Sequence, residues 1–266
     1  MTIVVADLGA SNARFAMLHK GRLSDVYMFA CDDFKSPEAL ISAFVKGYAK
    51  DVTGVILGVP GVVLKGKAYW TNRKWILNIN QLKKKLNLLN VLVLNDVEVQ
   101  GYALSALQSE DVTFLQGKKS AAGPKVFLNV GTGLGVCYQI DGRVFSAEYG
   151  QTLLANAQLT EGLVSATAFK LLKQEKKGLA AQKIQALFYE RLAFVATNLA
   201  LTFKATGGIY LYGGMLEEKN FKKFHFVQHF LQHPKMKEFL RTIPIVFVKR
   251  KNLAFVGVKE LAKQFD

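Results

Sequence analysis

One pattern occurs in each half of this chain and restricts the fold to the α/β class. It consists of an apolar run, a turn of small residues and a second apolar run. In the first half Ile3–Ala6 leads to Asp7 and the turn Gly9-Ala10-Ser11-Asn12, and in the second half Lys125–Val130 leads to Gly131–Gly135. Small residues let backbone N–H groups approach a phosphate closely. The repeat predicts two similar α/β domains, with a nucleotide and a small substrate in the cleft between them.

The segments between these motifs predict the order of strands and helices. Ser36 and Pro37 have the residue types of a helix N-cap and first helical position. Further helices are expected at about 160–174, 180–203 and 218–232, and a helix after Asp96 is expected to reach Leu107. Small and polar residues at 117–124 predict a crossing between domains. We therefore expect a smaller domain at 1–120, joined by the terminal helix at 252–266, and a larger domain at 121–251.

Composition limits the classes of function. Half of the 266 residues are apolar, enough for a sizeable core, yet no run approaches the ~18 apolar residues of a membrane span. The N-terminal apolar run lacks a preceding basic segment and is expected to be a core strand, not a signal peptide. The two cysteines, Cys31 and Cys137, are far apart, as is typical of a reducing, cytoplasmic setting.

The net charge of +15 suits anionic partners such as nucleotides. The lysine-rich groups contain no interleaved aromatic residues, and we expect solvated faces there. Nucleic acid and membranes are therefore not expected as partners.

The first turn has a plausible role in binding a nucleotide with its metal. Asp7 cannot bind a phosphate directly, because like charges repel, and a hydrated Mg²⁺ is its natural ligand. Arg14 is a candidate for stabilising phosphate charge, or it pairs with a core carboxylate. An ordinary β-hairpin with a polar turn is the alternative for these residues.

Glycines mark two further candidate nucleotide sites in the second half. Gly131 and Gly133 have no side chain that would keep a phosphate away, and Thr132 between them adds one hydroxyl donor. This is not a Walker loop, since no Lys-Ser/Thr follows, and a predicted strand stands where a dinucleotide motif needs a helix. Gly213 and Gly214 follow a buried strand and offer close backbone contact to adenine or ribose. A tight strand-to-helix turn explains them equally well.

Two polar groups are candidates for binding and activating a hydroxylated substrate. Asp96 ends an apolar strand, where α/β sheets place active residues, and a carboxylate there can accept the proton of an attacking hydroxyl. Asn95 beside it can hold the same substrate. A helix cap is the alternative for this pair. Glu148 and Gln151 can bind hydroxyls of a polar ligand, or they belong to a surface loop.

Taken in order, these motifs resemble the bacterial glucokinases of the hexokinase and actin-like ATPase superfamily. The matching segments are Asp7–Arg14, Thr71–Trp75, Asn95-Asp96, Gly131–Gly135, Gly207–Gly214 and the region from Pro244 to Gly257. The resemblance implies two ribonuclease H-like domains, the cofactors ATP and Mg²⁺, and a sugar substrate. It implies that Asp96 deprotonates the 6-hydroxyl while Asn95 and Glu148 hold ring hydroxyls. Asn72 would stand in the sugar-side loop, and relatives of this kind often form homodimers.

The sequence also departs from the family pattern. Ala10 stands where the family prefers glycine, Gln151 replaces a sugar-binding histidine, and Asn156 is nearest to the position of a second sugar-binding glutamate. The loss of a charge-assisted contact removes roughly 1.5–3 kcal/mol from sugar binding. The resemblance thus leaves two alternatives, a hexose kinase and a non-catalytic relative that binds nucleotide or sugar in a regulatory role.

Overall fold

The computed structural model of the chain describes residues 2–71, 73–119, 122–176 and 178–263. The chain divides into two compact units: unit 1 comprises Met1–Ala106 and Asn252–Asp266, and unit 2 comprises Leu107–Lys251. Among the described residues, no helix has the length and apolar character needed to cross a membrane.

The strands and helices are numbered in chain order. The strands are β1 (Thr2–Leu8), β2 (Asn12–His19), β3 (Arg22–Leu23), β4 (Tyr27–Ala30), β5 (Val52–Val59), β6 (Gly61–Leu64), β7 (Lys67–Trp70), β8 (Ile76–Asn78), β9 (Asn90–Asn95), β10 (Val112–Gln116), β11 (Lys125–Val130), β12 (Leu134–Ile140), β13 (Arg143–Ala147), β14 (Gly208–Tyr212) and β15 (Ile245–Val248). The α-helices are α1 (Pro37–Tyr48), α2 (Ile79–Leu86), α3 (Asp96–Tyr102), α4 (Ala166–Glu175), α5 (Ala181–Thr202), α6 (Glu218–Lys223), α7 (Phe226–Phe230), α8 (Lys237–Thr242) and α9 (Leu253–Ala262). Short 3₁₀ helices occupy Cys31–Asp33, Ala103–Ser105, Ser109–Asp111, Tyr149–Gln151 and Thr160–Gly162.

The main sheet of unit 1 is covered on both faces. Its order is β3-β2-β1-β5-β9, with β4 also paired to β2, and the strands β1, β5 and β9 are parallel. Val4 of β1 belongs to a buried cluster with Phe44 of α1, whereas Val5 belongs to another with Val99 of α3 and Val258 of α9. Burial on both faces explains why these strands read as continuous apolar runs.

Helix α9 packs closely on α3 at a glycine. A β-carbon at Gly257 would lie 2.9 Å from the carbonyl carbon of Val99 and closer still to its oxygen. Only glycine permits this approach of the two helix backbones. The terminal helix thereby supports the helix that begins at Asp96.

Unit 1 also contains a small sheet that the sequence analysis did not predict. Its order is β6-β7-β8, with antiparallel pairing throughout. Trp70 and Trp75 are buried with this sheet against the core of unit 1, and their rings meet edge to face.

Unit 2 repeats the strand arrangement of unit 1 and adds an edge strand. Its sheet has the order β10-β15-β14-β11-β12-β13, in which β11, β14 and β15 are parallel and β12 and β13 continue antiparallel. The long helix α5 supplies many of the buried side chains of its core, including Phe188, Leu192 and Leu199. The pattern of hairpin strands followed by parallel strands thus occurs in both units, as the repeated motif predicts.

The structure differs from the sequence-based expectations at several boundaries. The change of unit lies at 106/107 rather than near 120, because β10 pairs with β15 and so belongs to the sheet of unit 2. The segment 117–124 therefore connects two strands of one unit and is not a crossing between domains. Helix α3 ends at Tyr102, α4 begins only at Ala166, and the helix expected at 218–232 is broken at His225, whose φ is +53°.

Candidate active-site residues

Asp7 and Arg14 form an ion pair at the start of the first turn. They are directly opposite each other on the antiparallel strands β1 and β2. The guanidinium donates to the Asp7 carboxylate, whose side chain is only 14% exposed. Of the two roles considered for Arg14, the structure shows the pairing with a core carboxylate. The pair fixes where the carboxylate points.

The turn from Gly9 to Asn12 connects β1 to β2 and is closed by a backbone bond. The N–H of Gly9 donates to the carbonyl oxygen of Asn12 at 2.8 Å. Gly9 has little room for a side chain, since a β-carbon there would lie 2.8 Å from that same oxygen. Ala10 and Ser11 form the tip of the turn.

Asn95 caps helix α3, and Asp96 is the first residue of that helix. The Asn95 side-chain oxygen accepts from the N–H groups of Val97 and Glu98 at 2.9 and 3.3 Å. Its amide nitrogen donates to the carbonyl of Gly61 at 2.9 Å. An amide carries two N–H donors, so this bond does not exhaust it. The cap that we considered as an alternative is therefore present, and it leaves capacity for a substrate hydroxyl.

Strand register places the two acidic candidates of unit 1 at the same end of the sheet. Asp7 of β1 is in register with Gly58 of β5, and Gly58 with Leu94 of β9. Asn95 and Asp96 follow directly. Two strand spacings separate the Asp7 and Leu94 backbones by about 10 Å. Both carboxylates thus stand at the carboxyl ends of parallel strands, the edge where open α/β sheets bind ligands.

In unit 2, the loop Gly131–Gly133 lies between β11 and β12 and is anchored by α4. The N–H of Gly131 donates to Gly133 O at 3.0 Å, and the N–H of Ala166 donates to Gly131 O at 2.8 Å. The Thr167 hydroxyl donates to Thr132 O at 3.3 Å. The carbonyl oxygens of Gly131 and Thr132 therefore accept hydrogen bonds from the N-terminus of α4.

Gly213 packs against the strand that leads to this loop. It follows β14, the parallel neighbour of β11, with a φ of +132°. A β-carbon on Gly213 would come within 2.7 Å of the backbone nitrogen of Val130, whereas one on Gly214 would meet nothing within 4 Å. The structure thus brings Gly213 beside the base of the Gly131–Gly133 loop and leaves Gly214 exposed and sterically open.

Glu148 and Gln151 lie on a 3₁₀ turn after β13, and a second carboxylate acts on Glu148. The N–H of Gln151 donates to Glu148 O at 3.0 Å. Partial burial raises the pKa of the Glu148 carboxyl, and the charge of Glu161 raises it further. Glu161 also lies against the glycine loop, since a β-carbon on Gly133 would be 2.7 Å from its Oε2. Glu161 was not predicted from the sequence, because it is remote from both contacts along the chain and carries no motif.

The two remaining sugar-side candidates have different outcomes. Asn156 is exposed, and its side chain is hydrogen-bonded to Gln158 within a local turn. Asn72 lies outside the described residues. The neighbouring Arg73 was not predicted as functional, yet it hydrogen-bonds the carbonyl of Ala10 at 3.1 Å.

The described residues fit a magnesium ion that is bound mainly by phosphate. No group of three or more His, Cys, Asp or Glu in that part of the chain is arranged to hold a metal. Mg²⁺ in phosphate-transfer sites needs only one or two carboxylates besides water and phosphate oxygens. Asp7 can serve in this way, because a carboxylate has more acceptor positions than Arg14 occupies.

Comparison with known proteins agrees with this architecture. The family model described as Glucokinase matches residues 4–168 and 151–265. Glucokinase of Helicobacter pylori J99 is 29% identical over 96% of this chain and 93% of its own length. The crystal structure of a glucokinase from an Antarctic psychrotroph superimposes with a TM-score of 0.80 at 21% identity, covering 99% of each chain. That of a ROK family glucokinase from Streptomyces griseus, in complex with glucose and AMPPNP, gives a TM-score of 0.70 at 15% identity, covering 99% of this chain and all of the other.

The fold is therefore the two-domain fold of these sugar kinases. The structural likeness, at low sequence identity, shows the fold alone. The family model matches most of the chain and shows the family to which it belongs. The family model supports sugar phosphorylation as the class of reaction. This chain belongs to the glucokinase family.

Proposed function

We propose that this protein transfers the γ-phosphoryl group of ATP to the 6-hydroxyl of a hexose, with glucose as the first candidate. The observation that carries the proposal is the strand register that sets Asp7 and the Asn95-Asp96 pair at one edge of the unit 1 sheet. The Streptomyces griseus glucokinase was crystallised with glucose and AMPPNP, which are the sugar and the nucleotide type that we propose for this chain.

Asp96 acts as the general base in this proposal. As the first residue of α3, at the end of β9, it presents the carboxylate that accepts the proton of the sugar hydroxyl. Asn95 holds the sugar through the second N–H of its amide, and Glu148 and Gln151 bind further hydroxyls. Asp7 holds the hydrated Mg²⁺, which supplies charge neutralisation to the phosphates when it is bound.

The glycine-containing turns bind the nucleotide. Ser11 and the N–H groups of the first turn receive phosphate oxygens, as do those of Gly131–Gly133, while Gly213 and Gly214 offer backbone contact to adenosine. Positioning and charge stabilisation then supply most of the rate acceleration in phosphoryl transfer. A cytoplasmic location, expected from the sequence, remains a prediction, and a homodimer is proposed only because relatives of this kind often dimerise.

One observation favours the second candidate, a non-catalytic relative, in the form that binds sugar rather than nucleotide. The Glu161 carboxylate lies against Gly133 in the loop that is proposed to bind phosphate. A negative charge there opposes an incoming phosphate. A Glu161→Gln variant with much stronger ATP binding than the wild type would favour this candidate.

The decisive experiment measures ADP release with MgATP across a panel of hexoses and amino sugars. Wild-type protein is compared with Asp96→Asn, which keeps the shape of the side chain and removes the base. General-base removal lowers the rate by about 10²–10⁴-fold. Asp141→Asn, a charge removal in the exposed hairpin turn between β12 and β13, serves as the matched control. Absence of sugar-dependent turnover in the wild type, or full activity of Asp96→Asn, would refute the proposal.

A further inference from the structure

Three successive carbonyl groups of the first turn are held on one side by residues outside the turn. The Cys31 thiol donates to Gly9 O at 3.6 Å, and the Cys31 N–H donates to Ser11 O at 2.8 Å. Between them, Nη1 of Arg73 donates to Ala10 O at 3.1 Å. In a trans peptide the carbonyl and the following N–H point in opposite directions. The N–H groups of Ala10, Ser11 and Asn12 are therefore directed away from Cys31 and Arg73.

Arg73 is itself fixed from several directions. Nη1 also donates to the Asp32 carboxylate at 2.7 Å, and Nη2 donates to Cys31 O at 3.2 Å. The guanidinium lies over the Trp75 ring at 4.1 Å from its centroid. Its side chain is only 21% exposed, whereas that of Asp32 is 85% exposed. A planar fork held by two backbone carbonyls and one ring is a rigid support rather than a mobile surface cation.

The same support continues toward Asn95. The N–H of Trp70 donates to Trp75 O at 3.1 Å, and Trp70 is in register with Gly61 across β7 and β6. The Gly61 carbonyl then accepts from the Asn95 amide. Backbone and side-chain bonds within unit 1 thus connect the first turn, through Arg73, with the residue beside Asp96.

We propose that Arg73 is a positioning residue that sets the Gly9–Asn12 turn for binding the phosphates of the nucleotide. The inference rests on the proposed function in taking the turn as a phosphate site. Arg73 acts through the Ala10 carbonyl, by aiming the N–H groups of the turn, and it does not touch the reacting atoms. Its specific requirement is the fork of donors, because Ala10, Cys31 and Asp32 are reached together only by a guanidinium.

Isothermal titration of MgATP tests this proposal with Arg73→Lys, Arg73→Met and wild type. Lys keeps the charge but lacks the planar fork. We expect both variants to bind MgATP about tenfold or more weakly, because the N–H groups of the turn are no longer aimed at the phosphates; tenfold corresponds to about 1.4 kcal/mol of binding free energy. Lys67→Ala, an exposed charge removal on β7, is expected to bind as the wild type does, and Asp32→Asn is expected to lose little. Wild-type affinity in Arg73→Lys would show that charge alone matters and would overturn the proposal.

Hydrogen exchange in the ligand-free protein tests the same role without any assumption about nucleotide binding. In Arg73→Met, the hydrogen-bonded amides of Gly9 and Cys31, which close and support the turn, are expected to exchange faster, while those of Gly131–Gly135 in unit 2 keep their wild-type rates. Unchanged exchange at the first turn, or the same acceleration at both segments, would overturn the positioning role. A wild type that binds no MgATP, yet shows this selective exchange in the variant, would refute the proposed function and leave the role of Arg73 supported.

Discussion

The close approach of α9 to α3 predicts that Gly257→Ala damages the helix that carries Asp96. The added β-carbon would lie 2.9 Å from the Val99 carbonyl carbon and 3.4 Å from the Ala103 nitrogen. Carbon atoms in contact are normally about 3.5–4.0 Å apart, so the two helices must separate by at least about 0.6 Å. Overpacking of this kind costs about 1–3 kcal/mol.

Gly47→Ala is the matched control for this prediction. Gly47 is also helical, in α1, but a β-carbon there would meet nothing within 4 Å. Both substitutions gain the same type of helix propensity, up to about 1 kcal/mol. The difference between the two variants therefore isolates the cost of separating α9 from α3. At about 2–4 °C per kcal/mol, Gly257→Ala is expected to melt about 2–12 °C below Gly47→Ala.

Circular dichroism melting and sugar-dependent ADP release, measured well below both melting temperatures, check the two parts of this prediction. Because a 1 Å misplacement of a catalytic group costs up to about 10²-fold, we expect the kcat of Gly257→Ala to fall about tenfold while Gly47→Ala keeps wild-type turnover. Equal melting temperatures for the two variants would refute the steric reasoning. A lower melting temperature with unchanged kcat would show that the packing of α9 stabilises the protein but does not determine the placement of Asp96.

Three further predictions concern unit 2. The folded protein holds a proton on Glu148 more tightly than the unfolded chain does, so its contribution to stability falls as pH rises from the ordinary pKa of 4.5 through the raised value. Glu148→Gln is therefore expected to raise the melting temperature at pH 7.5 and to give no gain at pH 4, and an equal gain at both would contradict this. Gly213→Ala is expected to cost about 1–3 kcal/mol in urea unfolding, because its φ is +132° and the Val130 backbone is close. Gly214→Ala, with open space around it, is expected to unfold like the wild type and to weaken MgATP binding if adenosine lies there.

The features that the sequence predicted well are those that are set locally. Ser36 caps α1 as expected, with its hydroxyl accepting from Ala39 N at 3.2 Å and Pro37 at the first helical position. The apolar runs of β1 and β11 are strands because both of their faces are buried. Local chemistry of this kind can be read without knowing the neighbours in space.

The small sheet β6-β7-β8 shows where local reading was insufficient. Its strands are short, and Val62, Leu64 and Tyr69 are exposed apolar residues that blur the alternating pattern. Its first turn does carry one sequence signal, the glycine at position 66. Lys65 and Gly66 both have positive φ values, +48° and +75°, as in turns of the type I′ form.

The residues of the candidate site also fall into those whose placement could be predicted from the sequence and those whose contacts could not. The positions of Asp7, Asn95 and Asp96 at one sheet edge were predictable, because each follows an apolar run and the ends of parallel strands meet there. Glu161 and Arg73 were not, because their contacts with Gly133 and Ala10 join segments that are distant in sequence. Only the folded backbone shows that a carboxylate stands beside one glycine loop and a guanidinium beneath the other turn.

The discontinuity of unit 1 has a consequence for how the protein is made. Unit 2 is one continuous segment, and all of it leaves the ribosome before α9, so unit 2 is expected to fold first even though unit 1 begins the chain. Until α9 is synthesised, the sheet face that carries Ile3 and Val5 lacks part of its cover. Nascent chains that stop before residue 252 are therefore expected to present this apolar face to chaperones, and the synthesis of α9 decides when that exposure ends.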